Sequence, residues 1–283
     1  MALQRSHSGA RSLLPLVVST VKDNLGAVAV LRRMSHLSDR DKCNPALVER
    51  LFTQDRPALA RLLRSFDRGD FFCPDVQLTG VSSSISVLGF ETFLGFSLAV
   101  DLRRLIWEFH RTSPIDQVLL WRHSWITAVA ARDLAVRLGL DPFLVQNLGL
   151  FDKLGDLFIS AAYGREYEQL VAVGRGSVGE LRDGYQDVLG FDNDEVHRAI
   201  LGSLEFPATL AVRRGRADSI EETCVKAASN IAIELGCLPF LGAVSESWDL
   251  SGSALTEGAL AEVALATADA VSRTSRISDQ TPN

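Results

Sequence analysis

The sequence predicts an all-α protein, and three observations lead to this fold class. Apolar residues recur at steps of three and four through most of the chain, as they do on one face of a helix. Segments in which apolar and polar residues alternate strictly, as they do in strands, are scarce. The 283 residues, 47% of them hydrophobic, are enough to bury a large core.

The helices can be placed in chain order from this periodicity. The first covers roughly 15–37, with Pro15 in its first turn and Val17 and Val21 in its apolar stripe. The segment 114–138 is the clearest helix, and Gly139 is expected to end it. The remaining helices are expected over 45–53, 57–66, 85–88, 92–109, 163–173, 177–189, 192–205, 219–235 and 254–272.

Polar and conformationally special residues mark several helix boundaries. The serines at 82–84 are expected to cap the helix through Ile85–Leu88, and Gly89 to interrupt it. Asp141 and Pro142 predict an N-cap followed by the first residue of another helix. We expect that helix to carry Asp152.

Four parts are expected along the chain. Residues 1–14 form an N-terminal extension, 15–112 an N-terminal helical subdomain, 113–240 a second helical subdomain, and 241–283 an acidic C-terminal helix and tail. The boundary near 110–115 rests on a break in the helical pattern that ends at a proline. Because no long flexible linker separates the two subdomains, we expect them to pack against each other.

Charge, cysteine and hydropathy patterns exclude several function classes. The formal net charge of −6 argues against a general nucleic-acid binder, which needs a broad basic face. The four cysteines (Cys43, Cys73, Cys224 and Cys237) lie far apart, so we expect reduced, mostly buried thiols in a reducing cytosol. No apolar run approaches the length that spans a bilayer. We therefore expect a cytoplasmic protein that binds neither nucleic acid nor a membrane.

Two elements in the middle of the chain have the layout of a helical metal site. The first is L-W-R-H-S at 120–124, which contains His123, and the second is G-L-F-D-K-L-G at 149–155. A histidine on one helix and an acid in the next can together hold a divalent ion. Asp152 is followed by Lys153, however, and an ammonium group has the wrong charge for a metal ligand. The two elements therefore indicate the scaffold of an enzyme without its chemistry.

Taken in order, these landmarks resemble the bacterial HD-related output domain, usually written HDOD. The family's G-L-L-H-D-I-G motif corresponds to 149–155, and its D-H-A-E-V-G stretch with the following L-P step resembles 192–207. P-A-L-A-R-L-L-R at 57–64 and S-I-S-V-L-G at 84–89 resemble the family's N-terminal helices. The resemblance covers about 15–236.

The resemblance implies a fold and a general role. The fold is an HDOD-like helical one, in which an N-terminal helical subdomain packs on an HD-like helical bundle over 113–240. Members of the family are related to HD phosphohydrolases, but they are usually regulatory or signalling parts with no demonstrated hydrolysis.

The resemblance also implies which metal ligands this chain lacks. HD phosphohydrolases hold one or two divalent ions with a histidine, a His-Asp pair and a later aspartate. Only the first histidine is present here, as His123. The His-Asp pair corresponds to Asp152 and Lys153, and the later aspartate falls near Ser229 and Asn230.

Electrostatics supports the same interpretation from the residues alone. At about 4 Å and an effective dielectric of about 20, each pair of unit charges is worth roughly 4 kcal/mol, so an ammonium in place of a carboxylate turns attraction of a metal ion into repulsion. We expect no metal, no cofactor and no catalytic residue, and a vestigial pocket formed by His123, Asp152, Lys153 and Asp156. An Asp152–Lys153 ion pair is disfavoured, because adjacent residues on a helix do not face each other.

Other candidate sites have a structural explanation beside the functional one. We expect His123 to be partly buried and hydrogen-bonded, and His197 to pack between helices or lie on the surface. The G-x-G-x-x-G stretch at 174–179 lacks the surrounding βαβ pattern of a dinucleotide site, so it is interpreted as a turn. The densest basic cluster is a candidate anion-binding site, with a solvated helix end as the alternative. It consists of Arg213, Arg214 and Arg216.

Two further predictions concern packing. The core between the two halves is expected to contain Trp107, Phe109, Trp121 and Trp125. The acidic, alanine-rich helix over 254–272 is expected to dock onto the body, with a detachable partner-binding segment as the alternative. Its apolar stripe consists of Ala259, Val263, Ala266 and Ala270.

The favoured function is that of a non-catalytic bacterial signalling or regulatory protein. Its partner is an unidentified signalling protein or a second copy of the chain, received in helical grooves between the halves. The alternative is a sensor for an anionic nucleotide of the cyclic dinucleotide type, motivated by Lys153 and the arginines at 213–216. A residual metal-dependent phosphohydrolase that uses His123, Asp152 and Asp156 is the third hypothesis.

Overall fold

The computed structural model describes residues 14–23, 33, 44–67, 78–173, 193–206, 219–238 and 256–274. Every regular element in these ranges is a helix, which confirms the all-α prediction. In chain order the helices are α1 (Leu14–Asp23), α2 (Pro45–Gln54), α3 (Arg56–Asp67), α4 (Val81–Leu88), α5 (Phe90–Glu108), α6 (Gln117–Arg137), α7 (Pro142–Leu150), α8 (Leu154–Ala162), α9 (Gly164–Val173), α10 (Asn193–Ser203), α11 (Ile220–Glu234) and α12 (Glu257–Thr274). The helix predicted over 177–189 lies outside the described residues.

Residue types at its two ends explain the bounds of α6. The Asp116 carboxylate accepts hydrogen bonds from the backbone N–H groups of Val118 and Leu119, both at 2.9 Å, so the helix begins directly after this residue. Gly139 follows the C-cap with a φ of 67°, a left-handed conformation that glycine adopts at low cost. The predicted end of the helix is therefore confirmed, and its start lies three residues later than the predicted one.

The N-termini of α7 and α4 test two predicted signals. Asp141 caps α7 through the N–H groups of its second and third residues, and Pro142 is the first helical residue, as predicted. The serine prediction for α4 is wrong in position, because the helix begins at Val81 and Gly80 is the N-cap. Ser83 lies inside the first turn, where its hydroxyl oxygen accepts a hydrogen bond from the Gly80 N–H at 3.1 Å.

Helix α6 is the central element of the second half. α7 and α11 pack along it, α12 contacts it from outside, and α5 reaches it from the N-terminal half. Gly149 permits the close approach of α7, since a Cβ atom there would lie 3.1 Å from both the Thr127 carbonyl oxygen and the Ala131 Cβ. A larger side chain would push the two helices apart, which explains the glycine that opens the 149–155 motif.

The N-terminal helices build the other half around α5. α2 contacts α3 and α4, while α3 and α4 both contact α5. α1 instead packs against α8 and α10, and its Val17 and Val21 are fully buried, as predicted. One buried apolar cluster includes residues from α1 through α10, so the two halves share a core.

Aromatic side chains occupy the contact between the halves. Trp121, Trp125 and Phe109 are buried, and the two tryptophan rings stack with centroids 6.1 Å apart. Phe96 of α5 lies 5.7 Å from the Trp125 ring and thereby joins the halves. Trp107 is only partly buried at the edge of this cluster. The predicted aromatic core is therefore confirmed for the first three residues.

The C-terminal helix α12 docks on α6, as predicted, and the predicted stripe is confirmed for Val263 but not for Ala266. Val263 and Thr267 are buried and Leu260 is partly buried, whereas Ala266 is exposed. The Ala270 side chain lies outside the described residues. Alanine gains little from burial, so the larger leucine and valine decide which face of the helix turns inward.

The described part of the chain contains no single helix that is long and apolar enough to cross a membrane. α4 and α5 reach the required length and composition only when counted together, and they are bent by 118° at Gly89. Gly89 has a φ of 81°, so the predicted interruption at this residue is confirmed.

Candidate functional site

His123 lies in the interior, and both of its ring nitrogens are hydrogen-bonded. Nδ1 is 2.9 Å from the backbone carbonyl oxygen of Cys237, and Nε2 is 3.1 Å from the hydroxyl oxygen of Ser229. A carbonyl oxygen only accepts hydrogen bonds, so the Nδ1–H group donates to Cys237. In a neutral ring Nε2 then accepts, and the Ser229 hydroxyl donates to it. The prediction of a hydrogen-bonded histidine is confirmed, and its burial is complete.

The local structure of α11 brings both partners to the imidazole. Ser229 lies within α11, which packs along α6. After the helix ends, Gly236 adopts a φ of 80° and reverses the chain. The Cys237 N–H then donates to the Ala232 carbonyl oxygen at 3.0 Å, a helix-ending bond that positions the Cys237 carbonyl beside His123.

Asp152 and Lys153 lie in a turn and not inside a helix. α7 ends at Leu150 and α8 begins at Leu154, so three residues connect them. The Lys153 Nζ atom lies 2.9 Å from the Asp152 Oδ2 atom. The expectation that these neighbours do not pair is therefore wrong, because it assumed helical geometry that is absent at this position.

This ion pair is largely withdrawn from water. The side chains of Lys153 and Asp152 are 21% and 7% exposed, and Asp156 in the first turn of α8 is buried. A buried ion pair is costly to break, because the remaining partner becomes an uncompensated charge. The Asp152–Lys153 pair thus fixes a positive charge at the edge of the interior, next to the carboxylate that balances it.

The charge of Lys153 acts on two buried histidines. Burial, and then the Lys153 charge, lower the pKa of His123 to about 3, against a smaller opposing effect of the hydrogen bond to Cys237. The same two causes, in the same order, lower the pKa of His197 to about 4. Both rings are therefore neutral at physiological pH, in agreement with the tautomer of His123 inferred from its hydrogen bonds.

His197 confirms the prediction of a residue packed between helices. It lies on α10, which contacts α1 and α8, and it is almost fully buried. Its Nδ1 atom has no hydrogen-bond partner in the described part of the structure. A protonated ring here would carry a charge near Lys153, so the neutral state is the one that this position accommodates.

The residues around His123 do not fit a divalent metal ion. The Nε2 lone pair is used by Ser229, and Asp152 is paired with an ammonium group that would repel a cation. The family resemblance places an aspartate near Ser229 and Asn230, and the neutral Ser229 hydroxyl that contacts His123 is a poor substitute for a carboxylate. Within the ranges described above, no three histidine, cysteine, aspartate or glutamate side chains form a potential metal site.

A narrow cleft next to this region is too small for a nucleotide in this conformation. Its lining is apolar apart from Ser124 and Lys153 and consists of Leu102, Ile106, Leu120, Ser124, Leu150, Lys153, Leu154 and Leu157. The cleft leaves no space wide enough for the centre of a water molecule. Small-molecule sites usually enclose about 300–1,000 Å³, so a bound nucleotide would need the helices to move apart.

The sequence singled out only part of this arrangement. Arg213, Arg214 and Arg216, the candidate anion-binding residues, lie outside the described residues, as does the glycine-rich stretch at 174–179. The missing aspartate was placed near Ser229 and Asn230, but Ser229 was not identified as the partner of His123. The Cys237 contact involves a backbone carbonyl, and the only sequence signal for it is the helix-ending Gly236.

The comparisons with known proteins identify the same fold. The structure resembles a provisionally assigned phosphohydrolase from Shewanella amazonensis SB2B, with a TM-score of 0.69, 17% identity, and coverage of 95% of this chain and 100% of that chain. It also resembles an HDOD domain protein of unknown function from Geobacter sulfurreducens, with a TM-score of 0.66, 16% identity, and coverage of 93% and 97%.

A third solved structure is a provisionally assigned signal transduction protein from Marinobacter aquaeolei VT8, with a TM-score of 0.67, 15% identity, and coverage of 96% of this chain and 67% of that one. None of the curated proteins compared with the chain matches it. The family model described as the HDOD domain matches residues 27–214, about two thirds of the sequence. The chain therefore belongs to the HDOD domain family.

Proposed function

We propose that this protein is a non-catalytic signalling or regulatory protein that acts by binding other proteins on its HDOD scaffold. The observation that carries the proposal is the hydrogen bonding of His123. Both ring nitrogens are used inside the protein, so the one histidine that matches the HD pattern has no lone pair left for a metal ion. A helical scaffold without this chemistry is suited to recognition by its surfaces.

The surroundings of Lys153 support the proposal from a second direction. A fixed ammonium group paired with Asp152, and near two neutral histidines, disfavours a divalent ion at the position where a hydrolase needs one. The three similar structures carry descriptions that range from hydrolysis to signal transduction. The residues of this chain favour the signalling description.

A metal-loading and hydrolysis assay tests the non-catalytic part. The wild-type chain is dialysed against Mn²⁺ or Mg²⁺, analysed for bound metal, and assayed with bis-p-nitrophenyl phosphate. We expect no stoichiometric metal and no turnover above that of the His123→Ala variant. Metal-dependent turnover that is present in the wild type and lost in His123→Ala would refute the proposal. The double variant Asp152→His/Lys153→Asp rebuilds the family's His-Asp pair, and its bound metal is measured beside that of the wild type.

The binding part requires a separate measurement. The purified chain is used for affinity capture from a native lysate, and its mass is measured by light scattering. We expect a reproducible protein partner or a defined self-association. A monomer that captures no reproducible partner would contradict a role in protein binding, whatever the outcome of the metal assay.

A sensor for an anionic nucleotide is the second candidate, and one observation favours it. Lys153 lies on the wall of the cleft between α5, α6 and α8, where a phosphate group would meet a cation. The cleft would first have to widen, so binding would be accompanied by movement of these helices. A thermal-shift screen at millimolar cyclic dinucleotide tests this function: an increase of several degrees supports it, and no change rejects it.

A further inference from the structure

We propose that α12 is a displaceable cover, which detaches from the body while the other helices stay folded and so controls access to the apolar surface beneath it. The opening itself does not depend on the proposed function. Its consequence does, since a protein-binding chain would then present this surface only in the open form.

Few of the described side chains of α12, which within this helix are those of 258–269, are buried. Val263 is fully buried, Thr267 is buried but polar, and Leu260 and Ala264 pack partly buried against the same cluster. Leu265 is 74% exposed and points away from the body. α11, in contrast, buries eight of its 15 residues. Because helix stability in proteins comes mainly from packing of an apolar face, the described part of α12 is held more weakly than α11.

The ion pair between α12 and α6 is also of a weak kind. Glu262 accepts a hydrogen bond from Arg137 Nη1 at 2.7 Å, and the same arginine contacts Asp133 of its own helix at 3.4 Å. The side chains of Arg137 and Glu262 are 36% and 70% exposed. Water and salt screen such pairs, so this contact guides the helix to its place but does not lock it there.

α12 packs on α6 and adds Val263 to a separate buried cluster of apolar, mostly small side chains. The other members come from α6, α7 and α11 and are Ala130, Ala131, Leu134, Ala135, Val145, Cys224, Val225, Ala227, Ala228 and Ile231. α6, α7 and α11 pack against one another directly, so this cluster exists without α12. Detachment would therefore uncover the apolar part of the cluster that Val263 contacts, which is the kind of surface that proteins use for recognition.

We choose Cys224 as the probe for opening of this cluster. It belongs to the same cluster as Val263 and is fully buried. Burial, and then the charge of Glu221, raise the pKa of its thiol to about 11, so the closed form offers very little thiolate to a labelling reagent. In a chain in which Cys43, Cys73 and Cys237 are replaced by serine, the labelling rate without denaturant measures the opening equilibrium.

The test compares the same valine-to-alanine substitution on α12 and on α11, which belongs to the part that stays folded. Val263→Ala and Val225→Ala each remove two methyl groups from one cluster, and both are made in the chain that keeps only Cys224. We expect Val263→Ala to raise the labelling rate roughly tenfold while the urea midpoint of the body stays unchanged. We expect Val225→Ala to lower that midpoint, because this valine belongs to the part that remains folded.

Two results would overturn the proposal. One is that Cys224, in the single-cysteine chain without further changes, is labelled only when the whole chain unfolds. The free energy of the opening that exposes Cys224 and the free energy of global unfolding would then depend equally on urea concentration. The other is a Val263→Ala chain whose midpoint falls as far as that of Val225→Ala, which would make α12 an integral part of the core. Either result leaves the metal and hydrolysis assay unaffected, so failure of the cover and failure of the proposed function are distinguishable.

A peptide in trans tests reversibility of the contact itself. The probe is a fluorescent peptide with the sequence of 257–274, titrated against full chains by anisotropy. A Val263→Asp chain, whose own α12 carries an acid at the buried position, should bind the peptide at least tenfold more tightly than the wild-type chain does. The same peptide with Val263→Asp is the control and should not bind. Equal affinity for both chains would contradict the assignment of this surface to α12.

Discussion

Helix α6 carries two regions that are built in opposite ways. In the interior, His123 is fully buried and uses both ring nitrogens in hydrogen bonds. Near the end of the same helix, Arg137 holds α12 through an exposed ion pair beside one buried valine. The first region consists of satisfied polar groups in a low dielectric, which fixes a unique arrangement. The second has few buried contacts, which is the property of a segment that opens locally.

The difference between the two regions indicates which part of the protein can change its conformation. A hydrolase of this fold would hold its reactive groups around His123, but here those groups are committed to one another. The replaceable contacts lie at the outer surface of α6, on the face covered by α12. Changes in the interior should therefore alter the stability of the whole chain, whereas changes at the cover should alter local exposure.

The largest effect is expected for Lys153→Met. The change leaves Asp152 without its cation in a site that is almost closed to water. Removing one partner of a buried pair costs about 3–5 kcal/mol, and the partial exposure of Lys153 reduces this to about 2–4 kcal/mol. Urea unfolding at pH 7, followed by circular dichroism, measures the loss.

The matched control is Asp152→Asn/Lys153→Met, which removes both charges. It should regain at least half of the lost free energy of unfolding, because no uncompensated charge remains. A single Lys153→Met variant as stable as the wild type would show that the pair is not part of the closed interior.

The second effect is a loss of stability in mild acid. The pKa values of His123 and His197 are lowered in the folded state to about 3 and about 4, from 6.5 in the unfolded chain. The neutral rings contribute fully to the free energy of unfolding above pH 6.5, and this contribution is lost as the pH falls from 6.5 towards these two pKa values. Each ring contributes up to about 1.4 kcal/mol per pH unit in this window, and urea midpoints between pH 7 and pH 5 report the sum.

Asp101 opposes this trend and provides the control. Burial raises its pKa from 3.8 to about 6, against the lowering charges of Arg61 and Arg104, with a smaller raising effect of Asp55. A raised carboxylate pKa stabilises the fold as the pH falls from about 6 towards 3.8. Asp101→Asn removes this opposing term, so its stability should fall more steeply between pH 6 and pH 5. A flat profile in both chains would contradict the neutral buried histidines.

The smallest effect in the interior is expected for Ser229→Ala. The change removes the donor to His123 Nε2 and leaves a buried acceptor unsatisfied, which costs about 1–2 kcal/mol. Ser82→Ala is the matched control: its hydroxyl donates to Glu49 at 3.1 Å in an exposed setting, and its removal should cost less than about 0.5 kcal/mol. Equal values for both serines would indicate that His123 does not depend on Ser229.

Sequence reasoning predicted the parts of this structure that depend on local chemistry. Asp141, Pro142 and Gly139 mark helix boundaries through their own side chains and backbone preferences, and the structure follows them. The absence of the His-Asp pair also followed from the amino-acid sequence alone. The family resemblance placed the missing aspartate near Ser229 and Asn230, and in the structure Ser229 hydrogen-bonds to His123.

The rest depends on tertiary contacts that periodicity does not contain. The apolar pattern predicted one continuous helix here, but a turn at 151–153 interrupts it. Because of this turn, the Lys153 side chain can reach the Asp152 carboxylate. The inward face of α12 is decided by which side chains fit against α6, and a stripe of alanines leaves that face undetermined. The hydrogen bond from His123 to Cys237 involves a backbone carbonyl oxygen, so no side chain in the sequence predicts it.

The most direct test of the central claim is the NMR spectrum of the His123 imidazole, recorded by long-range ¹H–¹⁵N correlation with and without one equivalent of Mn²⁺. We expect a neutral ring protonated at Nδ1 from pH 5 to pH 8, with no paramagnetic broadening by the ion. A ring whose signals disappear at stoichiometric Mn²⁺, or one that is protonated at Nε2, would contradict the claim that this histidine is committed to Cys237 and Ser229.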